Sequence, residues 1–288
     1  MPVNDELGKR MKENYENVAK TRLMRRTPVA IRIDGKAFHT FTKGFQKPFD
    51  EVLIKSMQQT MQYLCENIQG CVFGYTQSDE ITLILVDYKK LTSSAWFDYE
   101  VQKVCSIAAS MATMAFNKYF YQEVLEWYSK MKPTTLADEQ AIVAQVQVYK
   151  KAAETGAMFD ARCFNIPKEE VTNLIYWRQL DATRNSIQMV GQTYFSHAQL
   201  EGKNQNDIQE MLWQNYGINW NDFPTHQKRG TCVVKNEIPV KSCGDGRVVA
   251  KLRDYSALPN EWIIDTEIPI FKGDGREYIE QLVYYQEE

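Results

Sequence analysis

Two short runs constrain this chain most: PVAIRIDGKAFHTF (Pro28–Phe41) and CVFGYTQSDEITLIL (Cys71–Leu85). In each, β-branched and apolar residues build a strand that delivers an aspartate, Asp34 or Asp79, to a break where glycine or small polar residues take over. Spacing alone leaves two readings open. Either each aspartate is a strand-end Asx turn, or the two lie on adjacent strands and share a cation. At about 4 Å and an effective dielectric near 20, two carboxylates repel by roughly 4 kcal/mol, and a divalent ion removes that penalty. Two aspartates, a backbone carbonyl, waters and phosphate oxygens satisfy Mg²⁺ in a two-metal phosphoryl-transfer site. Gly35, without a Cβ, is placed to turn its carbonyl inward. Strand alternation sends Glu80 to the face opposite Asp79, away from the same ion.

Lys36, Lys43 and Lys47 follow Asp34 within one loop, and Lys103 opens a later helix. Ammonium groups around a metal site suit a triphosphate, whose oxygens the N–H groups of Lys36 to His39 are positioned to cradle. For each lysine the alternative is a solvated surface. His39 reads equally as a packed loop residue and as a base or phosphate donor, while His197 and His226 have no motif partners for zinc. Arg25 and Arg26 read as exposed loop charge, with a phosphate contact as the sharper alternative.

A chain of 288 residues accommodates one large core with appendages or two unequal domains. Its 44% hydrophobic and 25% charged residues are those of a folded protein. With a net charge of -3, any nucleic-acid contact has to come from a local basic patch. Cys65, Cys71, Cys105, Cys163, Cys232 and Cys243 are scattered without a CxxC pair, the pattern of reduced core thiols in a cytoplasmic protein. The N-terminus lacks an apolar signal region and no window is apolar enough to span a membrane, so neither export nor a membrane is expected.

In chain order, residues 5–22 predict a helix whose stripe of Leu7, Met11, Tyr15 and Val18 docks on a core. VAIRID is a strand, residues 50–68 a helix, and CVFGYTQSDEITLILVDY two strands meeting at TQSDE. A long helix follows SSAW, with small residues such as Ala108, Ala112 and Ala115 on its packing side. Residues 132–156 predict a solvent-facing helical insertion, and MFDARCFNI a strand. The result is an α+β fold: a βαββαβ core with helices on one sheet face over residues 1–165, then a helical and β-rich region over 166–288. In that second region a helix of about 25 residues is interrupted by Arg178, Asp181, Arg184 and Asn185, and a shorter one ends at Gly217, a C′ glycine. Beyond GTCVVK, short strands alternate with turns at KNEIP, CGDGRV, LPNEW and KGDG, a β-rich appendage.

Taken in order, these motifs resemble the tRNA-His guanylyltransferase family, the reverse-direction RNA polymerases, with its R-x-D-G-x-x-F-H-x-F, K-P-x-D and Y-G-x-S-D-E signatures. The likeness continues through FDAR (Phe159–Arg162), YWRQLDATRNSI (Tyr176–Ile187), NDFPTHQKRGT (Asn221–Thr231) and DTEIPIF, sparing residues 132–156. The resemblance implies a core like the palm of polymerases and nucleotide cyclases, and tRNA as substrate. In the family, ATP activates the tRNA 5′ end, and the 3′-hydroxyl of an incoming nucleotide, typically GTP, then attacks it. It implies two Mg²⁺ ions on Asp34, the Gly35 carbonyl and Asp79. It further implies nucleotide contacts from Asp34, Gly35, Lys36, Ala37, Phe38, His39, Ser78 and Asp79, and triphosphate contacts from Lys47 and Lys103. It also implies a homotetramer or homodimer. Eukaryotic members carry a His-Ile-Asn-Asn run where this chain has Thr183-Arg184-Asn185-Ser186, which resembles the bacterial, archaeal and phage guanylyltransferase-like branch and implies templated repair of tRNA 5′ ends. Glu100 stands where eukaryotic members have Arg, which implies a different triphosphate clamp. Two other readings are a nucleotide cyclase, which leaves the WRQ helix unexplained, and a non-catalytic tRNA-binding module, whose signature is loss of a metal aspartate.

Overall fold

Alternation along β1 (Val29–Gly35) separates Val29, Ile31 and Ile33 from Ala30, Arg32 and Asp34, so one strand faces two cores. The computed structural model describes residues 6–241, 248–252, 258 and 260–285, and for 237–241 and 248–252 the backbone alone. β1 is central to a six-stranded antiparallel sheet with β2 (Cys71–Gln77), β3 (Glu80–Leu85), β4 (Phe159–Asn165), β5 (Thr231–Lys235) and β8 (Trp262–Asp265), in the order β4-β1-β3-β2-β5-β8. β6 (Glu237–Lys241) and β7 (Val248–Leu252) form a separate ribbon.

Ten α-helices are described: α1 (Glu6–Met11), α2 (Phe38–Phe41), α3 (Glu51–Asn67), α4 (Val101–Lys130), α5 (Leu136–Thr155), α6 (Lys168–Tyr194), α7 (His197–Leu200), α8 (Gln205–Tyr216), α9 (Thr225–Arg229) and α10 (Glu277–Val283). The strand, helix, strand, strand, helix, strand order read from the sequence is present, and Gly217 is a left-handed C′ residue closing α8.

The core helices α3 and α4 lie together on the first face of the sheet. Met57, Met61 and Leu64 of α3 and Val104, Ala108, Ala112, Phe116 and Phe120 of α4 pack there on Val29, Ile31, Ile33, Ile81 and Leu83. Contact is closest at Gly74, where a Cβ would stand 2.7 Å from Cys65 Sγ and 2.9 Å from Met61 Cγ. The other face is covered from the C-terminal half of the chain. Val171 and Ile175 of α6 and Ile279 and Val283 of α10 bury Ala30, Phe73, Ile84 and Val234. The C-terminal region is therefore no appendage: it extends the sheet by β5 and β8 and closes its second face. A third cluster joins the end of α6 (Ile187, Val190) to α8 (Ile208, Leu212) and Trp220. The CGDGRV turn and Cys243, with Pro259 of LPNEW, lie outside the described residues.

Two expectations are corrected. The N-terminal helix is α1 followed by a π turn (Lys12–Glu16) and a 3-10 turn (Asn17–Ala19), and none of it is buried. Its apolar stripe is not buried by any of the described residues: Leu7, Met11, Tyr15 and Val18 are 62%, 41%, 67% and 75% exposed. Conversely, α5 is not wholly solvent-facing. A Thr135–Asp138 capping box starts it in water, but Tyr149 and Ala152 near its end are core residues.

Candidate functional site

The β2–β3 turn brings the two aspartates together. Ser78 adopts a left-handed conformation (φ 51°), which turns the chain tightly, and the Gly35 N–H donates to the Asp79 carbonyl at 3.1 Å. The end of β1 is thus tied to the tip of the hairpin. Register sets Asp34 directly opposite Glu80 on β3 and Asp160 on β4. Three acidic positions are therefore in register across adjacent strands, and like charges so placed are destabilising unless cations intervene.

Those carboxylates are treated differently. Glu80 is buried, and both its oxygens are occupied: Oε1 accepts from Arg178 Nε at 2.6 Å, and Oε2 from Arg178 Nη2 at 2.7 Å and Arg32 Nη2 at 2.8 Å. Arg178 also reaches Asp181 at 2.9 Å, Asp181 pairs with Arg184, and Trp177 lies 4.5 Å from the Arg178 and 5.4 Å from the Arg32 guanidinium carbon. The polar residues interrupting α6 form this knot. Both Glu80 oxygens are thus engaged by guanidinium groups of the chain.

Asp34 and Asp79 have no such partner. Among the described residues neither forms an ion pair; Asp79 Oδ1 accepts from the Ser78 hydroxyl at 3.0 Å, and its carboxylate also takes a bond from its own backbone N–H. Burial, then the charge of Asp34 and Glu80, pushes the Asp79 carboxyl above the ordinary carboxylate range, with the Ser78 hydroxyl acting the other way. Asp34 is pushed up by burial, then by Glu80 and Asp160, with Arg162 and Arg32 opposing. Each carboxylate is destabilised by what surrounds it, which is how an oxygen site for a hard divalent cation behaves before the cation arrives. Among the described residues no three His, Cys, Asp or Glu side chains gather to cage a metal. Two carboxylates and the Gly35 carbonyl, with waters and phosphate oxygens, fit Mg²⁺, which keeps much of its shell outside the protein.

Beside the aspartates opens a cleft of about 740 Å³, within the range of small-molecule sites. Gly35, Ala37, Phe38, His39, Lys47, Ser78 and Asp79 all line it, joined by Lys43. Asp34 stands one residue behind this wall. Ala37 is left-handed (φ 55°) and starts α2, leaving donors of Ala37, Phe38 and His39 at the open first turn. The N–H of Lys36 is unavailable to a ligand because it donates to the Met158 carbonyl at 2.8 Å, and its side chain is outside the cleft wall. Gly35 is required less for carbonyl freedom than for space: a Cβ there would meet the Phe38 ring at 2.2 Å. That ring packs on Phe41, Phe116 and Phe159, with centroids 5.1 to 5.5 Å apart.

Lys103 is not brought to this cleft. It sits on the first turn of α4, its ammonium 4.8 Å from the Phe97 ring centroid, about 20 Å along the helix axis from Phe116 at the rise of an α-helix. Arg25 is a structural residue: it pairs with the buried Asp87 at 2.5 Å and with Asp98 at 3.3 Å. Met189 and Gln192 of α6 also line the cleft, a contribution sequence reasoning missed because nothing local marks a helix end passing a hairpin tip. Gln192 is shared with a second cavity of about 410 Å³ toward His197 and Leu200.

The family model described as tRNAHis guanylyltransferase matches residues 8–167. A solved bacterial tRNAHis guanylyltransferase-like protein in complex with ATP is 40% identical and superposes with a TM-score of 0.75 over 97% of this chain and 100% of that one. A second such bacterial structure, in complex with GTP, is 37% identical, with a TM-score of 0.71 over 98% of this chain and 100% of that one. The tRNA(His) guanylyltransferase of Kluyveromyces lactis is 29% identical over 72% of this chain and 82% of its own length.

Proposed function

The chain belongs to the tRNAHis guanylyltransferase family, and we propose that the cleft beside Asp34 and Asp79 is where it adds nucleotides, chiefly G, to tRNA 5′ ends in the 3′–5′ direction. It is a nucleotidyltransferase of tRNA processing, with nucleoside triphosphates and tRNA as substrates. The observation that carries the site assignment is the pair of shielded carboxylates without a protein cation at the mouth of the cleft.

Asp34, the Gly35 carbonyl and Asp79 would hold Mg²⁺, two ions in this reading, which would supply neutralising charge for the phosphoryl oxygens. The chain's own residues do the positioning. Lys43 and Lys47 attract the triphosphate into the cleft, and the open N–H groups of Ala37 to His39 donate to its oxygens. Phe38, anchored in its aromatic stack, fixes the backbone that presents those donors. Lys36 stands outside the cleft wall and Lys103 at the far end of α4, so neither is given a nucleotide contact in this reading. ATP activates the tRNA 5′ end and GTP is the main incoming nucleotide. The Thr183-Arg184-Asn185-Ser186 run favours templated repair of truncated tRNA. Residues 1–165 act as a polymerase-like palm, supported by the antiparallel β4-β1-β3-β2 order with α3 and α4 on one face, and residues 166–288 complete it. A homotetramer or homodimer is supported by the N-terminal arm, whose apolar stripe needs a partner, and by exposed Met114, Tyr121, Leu125 and Tyr128 on α4. Cys65, Cys71, Cys105 and Cys163 are free thiols, which supports a cytoplasmic protein. No described helix is long and apolar enough to cross a membrane.

The test is addition to labelled intact and 5′-truncated tRNAs with each of the four nucleotides. G is added best, and Asp34→Ala and Asp79→Ala each lower the rate by about a thousandfold or more, several kcal/mol of transition-state stabilisation, while tRNA binding persists. Addition that survives in either variant ends the metal assignment. A cyclic product from GTP alone supports the cyclase reading instead.

A further inference from the structure

Helix α5 lies outside the elements that hold the aspartates, yet its C-terminal half reaches the cleft wall from behind. The Tyr149 ring is fully buried against Phe45, Phe120 and Trp127, with centroids 5.2, 6.0 and 5.4 Å away. Its hydroxyl donates to Asp50 Oδ2 at 2.7 Å. Asp50 is only 5% exposed, and its remaining bonds are to backbone: Oδ2 also accepts the Gln46 N–H and Oδ1 the Leu53 N–H, each at 2.9 Å. One carboxylate therefore closes the turn from Gln46 to Asp50 and caps the start of α3. Lys47 lies inside that turn. Three donors share the Asp50 charge, and the tyrosine is the only one that comes from a distant part of the chain. The same helix touches the loop once more, where Gln145 Nε2 donates to the Gly44 carbonyl at 3.4 Å.

We propose that Tyr149 is a positioning residue for nucleotide addition: through Asp50 it holds the turn carrying Lys47 against the cleft, so that α5 tunes affinity for the incoming nucleoside triphosphate and not for tRNA. The proposal rests on the reading that Lys47 contacts the triphosphate. Burial of the ring is accounted for by packing, but packing does not require the hydroxyl; aiming it at a buried carboxylate that already has two backbone donors fixes the loop as well.

Tyr149→Phe keeps the ring and removes the hydroxyl. Its KM for GTP rises about tenfold, the low end for a hydrogen bond to a charged group, while kcat at saturating GTP and the Kd for tRNA change less than twofold. Asp50→Asn, which keeps one acceptor oxygen in place of two and so cannot accept all three bonds, raises KM in the same way, and adding Tyr149→Phe to it raises KM no further. Asp50→Asn also carries the test if Tyr149→Phe does not fold. Lys47→Ala is measured in parallel. If it leaves the KM for GTP unchanged, the reading of Lys47 fails. If Lys47→Ala raises KM but Tyr149→Phe does not, or if Tyr149→Phe weakens GTP and tRNA equally, the positioning role is overturned.

Discussion

Asp79 and Glu80 are neighbours in the chain and both are withdrawn from water, but they end in opposite company. Glu80 is enclosed by Arg178 and Arg32, with every oxygen bonded. Asp79 and Asp34 form no ion pair among the described residues, and each has burial and like charge against it. A buried carboxylate matched by the protein's own guanidinium groups is finished architecture. One that is left unmatched a few ångströms away is held ready for a positive charge from outside the chain. The knot around Glu80 also keeps a third carboxylate from competing for that ion.

The largest effect that can break this comparison is on the knot. Arg178→Met strands Glu80 with Arg32 alone and costs about 3–5 kcal/mol in urea unfolding, as removing one partner of a buried pair does. Glu80→Gln combined with Arg178→Met recovers most of it. If Arg178→Met left stability unchanged and abolished addition, the knot would be catalytic machinery and the contrast would fall. On the unmatched side the signature is metal-dependent stability. Millimolar Mg²⁺ raises Tm by about 2 to 5 °C at neutral pH, from linkage of a ligand well above its Kd. Chelation reverses the shift, and Asp34→Asn with Asp79→Asn abolishes it. The smallest effect is a pH trend without divalent cation. Because the folded-state Asp79 carboxyl titrates above its unfolded value, its favourable contribution is complete below the unfolded pKa and is lost as pH rises through the folded one. Asp79→Asn therefore gains Tm relative to wild type between acid and neutral pH. A gap that closes toward neutrality would mean Asp79 has an unseen cation.

Much of this was legible in the sequence because it is local. Period-two runs gave β1, β2, β3 and β4, and the break at TQSDE gave the hairpin tip that carries Asp79. Gly35, Lys47, Ser78 and Asp79, all within the quoted motifs, line one cleft. What failed to show depends on partners far along the chain. Arg178 reads as a polar interruption of α6 until Glu80, 98 positions away, is placed beneath it. Tyr149 sits in a helix that reads as solvent-facing because its single buried turn has no periodicity, and its partner Asp50 is 99 positions away. Lys103 has the right charge but the wrong end of a thirty-residue helix. The stripe at Leu7, Met11, Tyr15 and Val18 has the right period, but periodicity does not say which molecule covers it.

Gly35 has a thermal consequence. It is pressed against Phe38, and Phe38 belongs to the same aromatic stack as Phe116 and Phe159. The backbone at Gly35 is thereby tied to the buried aromatic core and not to a surface loop. The Gly35 amide, bonded to the Asp79 carbonyl, should exchange with deuterium only through global unfolding. Heat should then remove catalytic competence and tertiary structure in a single transition, with no warmer window in which the fold survives but the site has come apart.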